Sequence, residues 1–305
     1  MGSLLTKKPL AVCTFYHYCS LPVEHLNNLS KTIYSKGLGL RGLILLSEEG
    51  INATLIGSLR HLKRYLQVLR KETGIPIQAR WQVSNSWGFK KLRIKIKKEL
   101  VTSGKKELSP FSNNTHLTPS GWEVALKEKP ILLDIRNNYE VRVGKFEKAL
   151  DLNLDQFKNF PQKLKQSQIP KDKKVLIYCT GGIRCEKALN EMKNQGFTQV
   201  QQLKGGVLNY LKEFPNSRFK GNLFVFDHRV TLDQKLKPSP RYKLCPHCGQ
   251  AGDQSLFCQH CNKECVVCSL CMNKDKIHQT CSKNCAYHYK HGHRYKAKNT
   301  TLQSY

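Results

Sequence analysis

Cys179 and Arg184 are the residues whose types and spacing most constrain the chemistry of this chain. They lie in residues 175–186, VLIYCTGGIRCE, where four β-branched, aliphatic and aromatic residues read as a short buried strand. The loop Thr180, Gly181, Gly182 and Ile183 follows, and the pattern from 185 to 195 reads as a helix. Two adjacent glycines let the backbone curl until several N–H groups point inward. An anion at the centre of that curl meets amide dipoles, a helix N-terminus and the Arg184 guanidinium. The same influences lower a cysteine pKa, so Cys179 is expected to be a thiolate nucleophile rather than a small buried hydrophobe. The spacing C-x-x-x-x-R is one residue shorter than the loop of cysteine phosphatases, so the cradle suits a single sulfur atom better than a tetrahedral phosphate. Cys185 is either a resolving thiol or a packing residue at the helix start.

The elements that must position this loop read as α/β. Strands at 131–134, 175–178 and 200–203 alternate with helices near 155–166, 186–195 and 208–214, a pattern that gives a parallel sheet with Cys179 at a strand's C-terminal end. A helix opens at Thr118-Pro119-Ser120-Gly121-Trp122-Glu123, so this domain is assigned to 118–225. Ahead of it, 10–19 reads as a strand, 22–35 as a helix, 42–47 and 51–56 as strands around Glu48-Glu49-Gly50, 59–72 as a helix, and 77–83 and 92–101 as strands. The second helix carries Leu59, Leu62, Leu66 and Leu69 at helical spacing, with Arg60, Lys63, Arg64, Arg70 and Lys71 on its other faces. The order β-α-β-β-α-β predicts a ferredoxin-like, α+β domain over 1–104. Residues 105–117 are polar and turn-rich and read as a linker.

Nine of the 13 cysteines follow Lys243. Cys245-x-x-Cys248, Cys258-x-x-Cys261, Cys265-x-x-Cys268 with Cys271, and Cys281-x-x-x-Cys285 repeat the turn that presents two thiolates to one tetrahedral zinc. One partition puts Cys245, Cys248, Cys258 and Cys261 on a first zinc, and Cys265 or Cys268 with Cys271, Cys281 and Cys285 on a second. His247, His260 and His278 are alternative ligands. Few apolar residues lie in this region, 226–290, so metal would supply much of its folding energy. The end, 291–305, is a basic, aromatic tail that reads as an RNA-contacting arm or a solvated end.

The formal net charge is +29 over 305 residues, with 51 Lys and Arg against 22 Asp and Glu. It is spread as +13 before Thr118, +8 to Val225 and +8 beyond. Charge so distributed fits a large nucleic acid gripped by several domains better than one anchored by a single tail. No segment has the apolar length of a membrane span, and the N-terminus lacks a signal-peptide pattern, so no membrane association and a cytoplasmic location are expected. Cysteine-rich chains there use thiols for metals and catalysis rather than disulfides.

Asp134-Ile135-Arg136 with Glu140, the Cys179 loop, and Leu203-Lys204-Gly205-Gly206 together resemble a rhodanese domain, in which the loop cysteine carries a persulfide. The wider pattern is more specific: SEEGINAT (47–54), KKLRIKIKKELVTSG (90–104), HLTPSGW (116–122), LDIRNNYEVRVGKF (133–146), CTGGIRCEKA (179–188), LKGGV (203–207), FVFDHRV (224–230) and CSKNC (281–285). In that order they resemble the bacterial tRNA uridine hydroxylase family. The resemblance implies oxygen-dependent conversion of the wobble uridine, position 34, to 5-hydroxyuridine, with tRNA as partner, dioxygen as co-substrate and Cys179 as the active residue. The chain has Ala53 where that family usually has glycine. No GxGxxG, haem motif or two-His-one-carboxylate set is recognisable, so no organic cofactor is expected. Cys179 is expected to act as a thiolate or persulfide, adding to the uracil ring while Arg184 and the loop amides stabilise the anionic sulfur. Asp134, Arg136, Asp227 and Arg229 are either site-shaping or satisfied ion pairs. Two other functions compete: a persulfide sulfurtransferase acting on tRNA or a small thiol acceptor, and a noncatalytic RNA-binding adaptor.

Overall fold

The computed structural model describes residues 9–104 and 116–292; residues 1–8, most of the expected linker (105–115) and the tail from 293 lie outside the described residues. The chain divides into two units, Met1–Pro238 and Ser239–Tyr305.

The first unit begins with β1 (Leu10–Tyr18), α1 (Val23–Lys36), β2 (Arg41–Ser47), β3 (Gly50–Gly57), α2 (Leu59–Thr73), β4 (Arg80–Ser84) and β5 (Leu92–Ile96). The strand order is β4-β1-β3-β2-β5: three antiparallel pairings make the split βαβ sheet, and β5 adds to its edge parallel to β2. Period-two alternation gives the sheet two different faces. Cys13, Phe15, Ile44, Leu46, Ile51, Ala53 and Leu55 pack with Leu26 and Ile33 of α1 and Leu62, Leu66 and Leu69 of α2. Thr14, Tyr16, Leu43, Leu45, Asn52 and Thr54 therefore stand on the other face. Ala53 has ordinary extended backbone and is buried, so a side chain is accommodated there. The α2 stripe differs from the expected one. Tyr65 joins it, donating its hydroxyl to the Ile33 carbonyl at 2.7 Å, while Leu59, at the helix start, is 48% exposed.

The rest of this unit contains β6 (His116–Leu117), α3 (Pro119–Lys127), β7 (Ile131–Asp134), α4 (Asn138–Val141), β8 (Gly144–Phe146), β9 (Leu150–Asp151), α5 (Phe160–Gln166), β10 (Val175–Tyr178), α6 (Ile183–Asn194), β11 (Val200–Leu203) and α7 (Gly206–Glu213). Strands β6-β11-β10-β7-β9 form one parallel sheet. The central strands are buried on both faces. Val175, Ile177 and Cys179 pack toward α5 and α6, and Leu176 and Tyr178 pack toward α3 and α7. The segment expected as one helix from 155 is a short 3-10 turn at Phe157–Asn159 followed by α5. Pro161, which lacks an N–H, fits the first turn of α5 and marks its start. His116 and Leu117, at the end of the expected linker, pair as an edge strand. Beyond α7, β12 (Phe219–Gly221) pairs with β8, and β13 (Leu223–Phe224) with β14 (Thr231–Leu232).

The face of the N-terminal sheet that carries Thr14, Tyr16, Leu43 and Leu45 is covered by this second domain. Lys187 of α6, 1% exposed, reaches Glu49 at 2.9 Å and Glu99 at 2.7 Å. Arg229 donates to Gln82 Oε1 at 3.0 Å, and the Tyr18 hydroxyl donates to the Ile183 carbonyl at 3.3 Å. Residues 97–101, expected as strand, leave the sheet beyond β5, and the Leu100 N–H meets the Glu49 carboxylate.

The second unit holds two small hairpins, β15 (Lys243–Leu244) with β16 (Ala251–Gly252) and β17 (Gln254–Phe257) with β18 (Glu264–Val267), and the helices α8 (Ser269–Met272) and α9 (Lys283–Lys290).

Candidate active site

Cys179 directly follows β10 and is fully buried in the floor of a cavity of about 430 Å³ whose opposite wall is the second, mixed face of the N-terminal sheet. The loop behind it is tighter than expected. Helix α6 starts at Ile183, so Arg184 and Cys185 belong to its first turn and the Gly182 N–H points at the sulfur, 3.1 Å away. Gly182 has φ +98°, and a Cβ there would come within 2.9 Å of the Tyr16 hydroxyl. Gly206 has φ +67°, and a Cβ would stand 2.4 Å from the Cys179 carbonyl oxygen. That closeness lets the start of α7 bond the loop: Val207 N–H donates to the Cys179 carbonyl at 3.0 Å and Leu208 N–H to the Thr180 carbonyl at 3.1 Å.

Burial works against charge on Cys179. Hydrogen bonding from the Cys185 thiol, the charge of Arg184 and the Arg184 and Gly182 N–H groups outweigh it, bringing the thiol down to about 6. Burial and the neighbouring Cys179 push the Cys185 thiol well up, so it stays protonated and serves as a donor.

Arg184 acts on the sulfur differently from the sequence expectation. Its guanidinium forks onto the fully buried Glu140, with Nη1 and Nη2 at 2.5 and 2.8 Å from the carboxylate, and Thr180 Oγ1 donates to the same carboxylate at 2.9 Å. Its effect on Cys179 is therefore through space and through its backbone N–H. Burial raises the Glu140 carboxyl, but Arg184, the Arg136 charge and the Thr180 hydroxyl together outweigh it and hold it below its ordinary value.

The other candidate residues fall into two groups. Asp134 and Arg136 are fully buried beside the loop, bonded to each other, to the Tyr178 hydroxyl and to the Gly144 carbonyl, and they are absent from the cavity wall. They form a bonded pair that holds β7, β8 and β10 together, with Arg136 Nη1 buried and left without a hydrogen-bond partner. Asp227 and Arg229 do line the cavity, as do Cys179, Thr180, Gly181, Ile183 and Arg184. They too are a bidentate pair, with Arg229 Nη2 2.7 Å from Asp227 Oδ2.

The sequence reading missed the contribution of the N-terminal sheet. Tyr16, Asn52, Thr54 and Arg80 line the cavity, and Arg80 stacks over Tyr16 at 5.5 Å. Strict alternation along β1 and β3 was the available signal for Tyr16, Asn52 and Thr54, since it places them opposite the apolar residues.

Comparison with known proteins bears on this geometry. Residues 10–100 match the model of a UPF0176 acylphosphatase like domain, 122–213 that of a rhodanese-like domain, and 220–286 that of a rhodanase C-terminal region. A protein of Bdellovibrio bacteriovorus named tRNA uridine(34) hydroxylase is 39% identical over 283 residues, covering 90% of this chain and 80% of the relative. The chain belongs to the tRNA uridine(34) hydroxylase family. Further relatives of the same name come from Synechococcus elongatus, 38% identical over 73% of this chain and 85% of theirs, and Legionella pneumophila, 36% identical over 75% and 92%.

In this hydroxylase-family chain the cysteine-rich unit brings together Cys245, Cys248, Cys268 and Cys271, and separately Cys258, Cys261, Cys281 and Cys285, each set with its sulfurs within 4.8 Å of one another. The grouping is interleaved, where the sequence had suggested consecutive sets. The β17–β18 hairpin explains why: its tip carries Cys258 and Cys261 outward, while Cys268, directly after β18, returns beside Gly252. Cys265 lies within β18 and belongs to neither set. His247 and His278 also stand outside the sets, bonded to Thr280 and Asp275. The sulfur pairs Cys248–Cys268, Cys261–Cys281 and Cys281–Cys285 are 3.5, 3.6 and 3.4 Å apart. A tetrahedral zinc with bonds of about 2.3 Å needs edges of about 3.8 Å, so both sets fit one with small adjustment.

Proposed function

We infer that the protein hydroxylates C5 of the wobble uridine, position 34, of tRNA, with Cys179 engaging the base, one atom of the co-substrate dioxygen entering C5 and the other leaving as water with two electrons from a cellular reductant. The observation carrying this reading is the placement of a depressed-pKa cysteine at the floor of a largely apolar cavity walled by the second face of the N-terminal sheet, which adds the polar groups of Tyr16, Asn52, Thr54 and Arg80, in a chain of this family. A base in a folded RNA must leave its stack to be modified, and a cavity of about 430 Å³ falls within the range of about 300–1,000 Å³ usual for small-molecule sites. The Cys179 thiolate adds to C6 of the flipped uracil, which makes C5 electron-rich and ready for oxidation. The net charge of +29 and the exposed Arg60, Lys63, Arg64 and Lys71 on α2 favour a phosphate backbone as partner. Each four-cysteine set holds a structural zinc that supplies folding energy to a unit with few apolar residues. Among the described residues no helix is long and apolar enough to cross a membrane; we place the protein in the cytoplasm, with its tRNA.

The rhodanese-like loop favours a second reading, in which Cys179 carries a persulfide and passes its sulfur to tRNA or a small thiol. Cells expressing the protein under isotopically heavy dioxygen separate the two. The hydroxylase reading expects the heavy atom in the 5-hydroxyl of the tRNA nucleoside; a thiolated nucleoside that depends on Cys179, with no labelled 5-hydroxyuridine, would establish the second reading instead.

A further inference from the structure

Three arginines line the cavity, and two are committed to carboxylates: Arg184 to Glu140 and Arg229 to Asp227. The third, Arg80 of β4, has no carboxylate partner among the described residues, and its Nε is buried without a hydrogen-bond acceptor. A buried donor left unmade costs about 1–3 kcal/mol, more when charged, so such a group calls for an acceptor. The guanidinium lies at the Cys179 loop. A Cβ built on Gly205 would lie 3.3 Å from Arg80 Nη1, and one on Gly181 would lie 3.8 Å from Nη2. The guanidinium thus rests on the two glycine turns that frame Cys179, with its central carbon 5.5 Å from the Tyr16 ring centroid. Glycine at these positions lets the guanidinium approach the loop closely; a Cβ at Gly205 would crowd it.

We propose that Arg80 binds the reacting base, donating to its 4-oxo oxygen as negative charge develops there. The proposal rests on the reading of Cys179 as the residue that adds to uracil. In that step the S–C6 bond forms, the C5=C6 π pair moves through C4 onto O4, and no electron is gained or lost. Arg80 N–H groups meet the O4 enolate; solvent protonates C5, loss of the original C5 proton to solvent regenerates the enolate, and cleavage of the S–C6 bond returns the Cys179 thiolate and the base with a solvent hydrogen at C5. Asn52 and Thr54, on the same sheet face, border the same space. A domain with no part in the loop chemistry thereby supplies the cation that the loop lacks, Arg184 being already neutralised by Glu140.

The test is C5 hydrogen exchange of uridine 34, read by nucleoside mass spectrometry after incubating full-length protein with target tRNA in heavy water, together with the pH profile of Cys179 alkylation. Wild type is expected to exchange. Arg80→Gln should lose about 100-fold in exchange, as for removal of an oxyanion donor, while the alkylation midpoint, which the Arg80 charge also favours, moves up by far less than that loss would require. Arg80→Lys, which keeps the charge but not the fork, should retain part of the exchange. Undiminished exchange in Arg80→Gln overturns the proposal, as does a loss explained by an upward shift of the alkylation midpoint, which would make Arg80 a stabiliser of the thiolate. Wild type that forms 5-hydroxyuridine without exchange overturns the Arg80 role and leaves the hydroxylase standing. Arg80-dependent exchange with no hydroxylation supports Arg80 and removes the hydroxylase reading.

Discussion

Tyr16 donates a 2.9 Å hydrogen bond to Glu186 Oε1, tying β1 of the N-terminal domain to the helix that carries Arg184 and Cys185. Glu186 also meets His116 at 2.9 Å and Gln202 at 3.0 Å, so one carboxylate, 7% exposed, gathers three elements. The cavity wall and its floor are thus held in register by charge-assisted bonds rather than by apolar packing alone. Tyr16→Phe removes one of these bonds to a charged acceptor and should cost about 1.5–3 kcal/mol of stability, visible as a lower denaturant midpoint with an unchanged slope.

Cys179 should react as a thiolate at neutral pH. Only the ionised form is alkylated, so the iodoacetamide rate should rise through pH 6 and level off by pH 8, where an ordinary thiol of about 8.5 is still climbing. Cys185→Ala removes a donor to the sulfur and should move that midpoint upward. The depressed acid is also a stability statement: its contribution is full above the unfolded thiol value near 8.5 and is lost as pH falls through about 6. Urea unfolding at pH 5 and pH 8 of wild type and Cys179→Ala should show a gap that widens with pH.

Glu140→Gln leaves the Arg184 guanidinium, 6% exposed, without its counter-charge. Breaking a buried pair from one side costs about 3–5 kcal/mol. Denaturant unfolding should report that loss, and Glu140→Asp, which keeps the charge at shorter reach, should lose less.

Metal analysis of the purified full-length protein should give two zinc ions per chain. Cys245→Ser and Cys258→Ser should each lower that count by one, because each touches a different set of four sulfurs. Cys265→Ser should leave it at two, and chelation should unfold the C-terminal unit, read as loss of protease resistance beyond residue 238.

The strands and helices around Cys179 were legible because local rules fixed them: an apolar run, two glycines and a helix pattern in order. The interleaved cysteine sets were not, since C-x-x-C turns look alike and only the β17–β18 hairpin decides which turns meet. Arg184 shows the same limit on a smaller scale. Its spacing to Cys179 was visible, but Glu140 lies 44 residues away, and the fork between them turns the guanidinium from the sulfur toward a carboxylate. Arg80 was invisible as a site residue for a related reason: its strand belongs to a different domain, and only the facing of two sheets brings it to the loop.

The most direct measurement is nucleoside mass spectrometry of tRNA from a strain lacking this gene, complemented with wild type or with Cys179→Ser. Position 34 should lose 5-hydroxyuridine on deletion, regain it with wild type and not regain it with Cys179→Ser. Restoration of 5-hydroxyuridine by Cys179→Ser to wild-type levels would contradict a catalytic role for the loop cysteine.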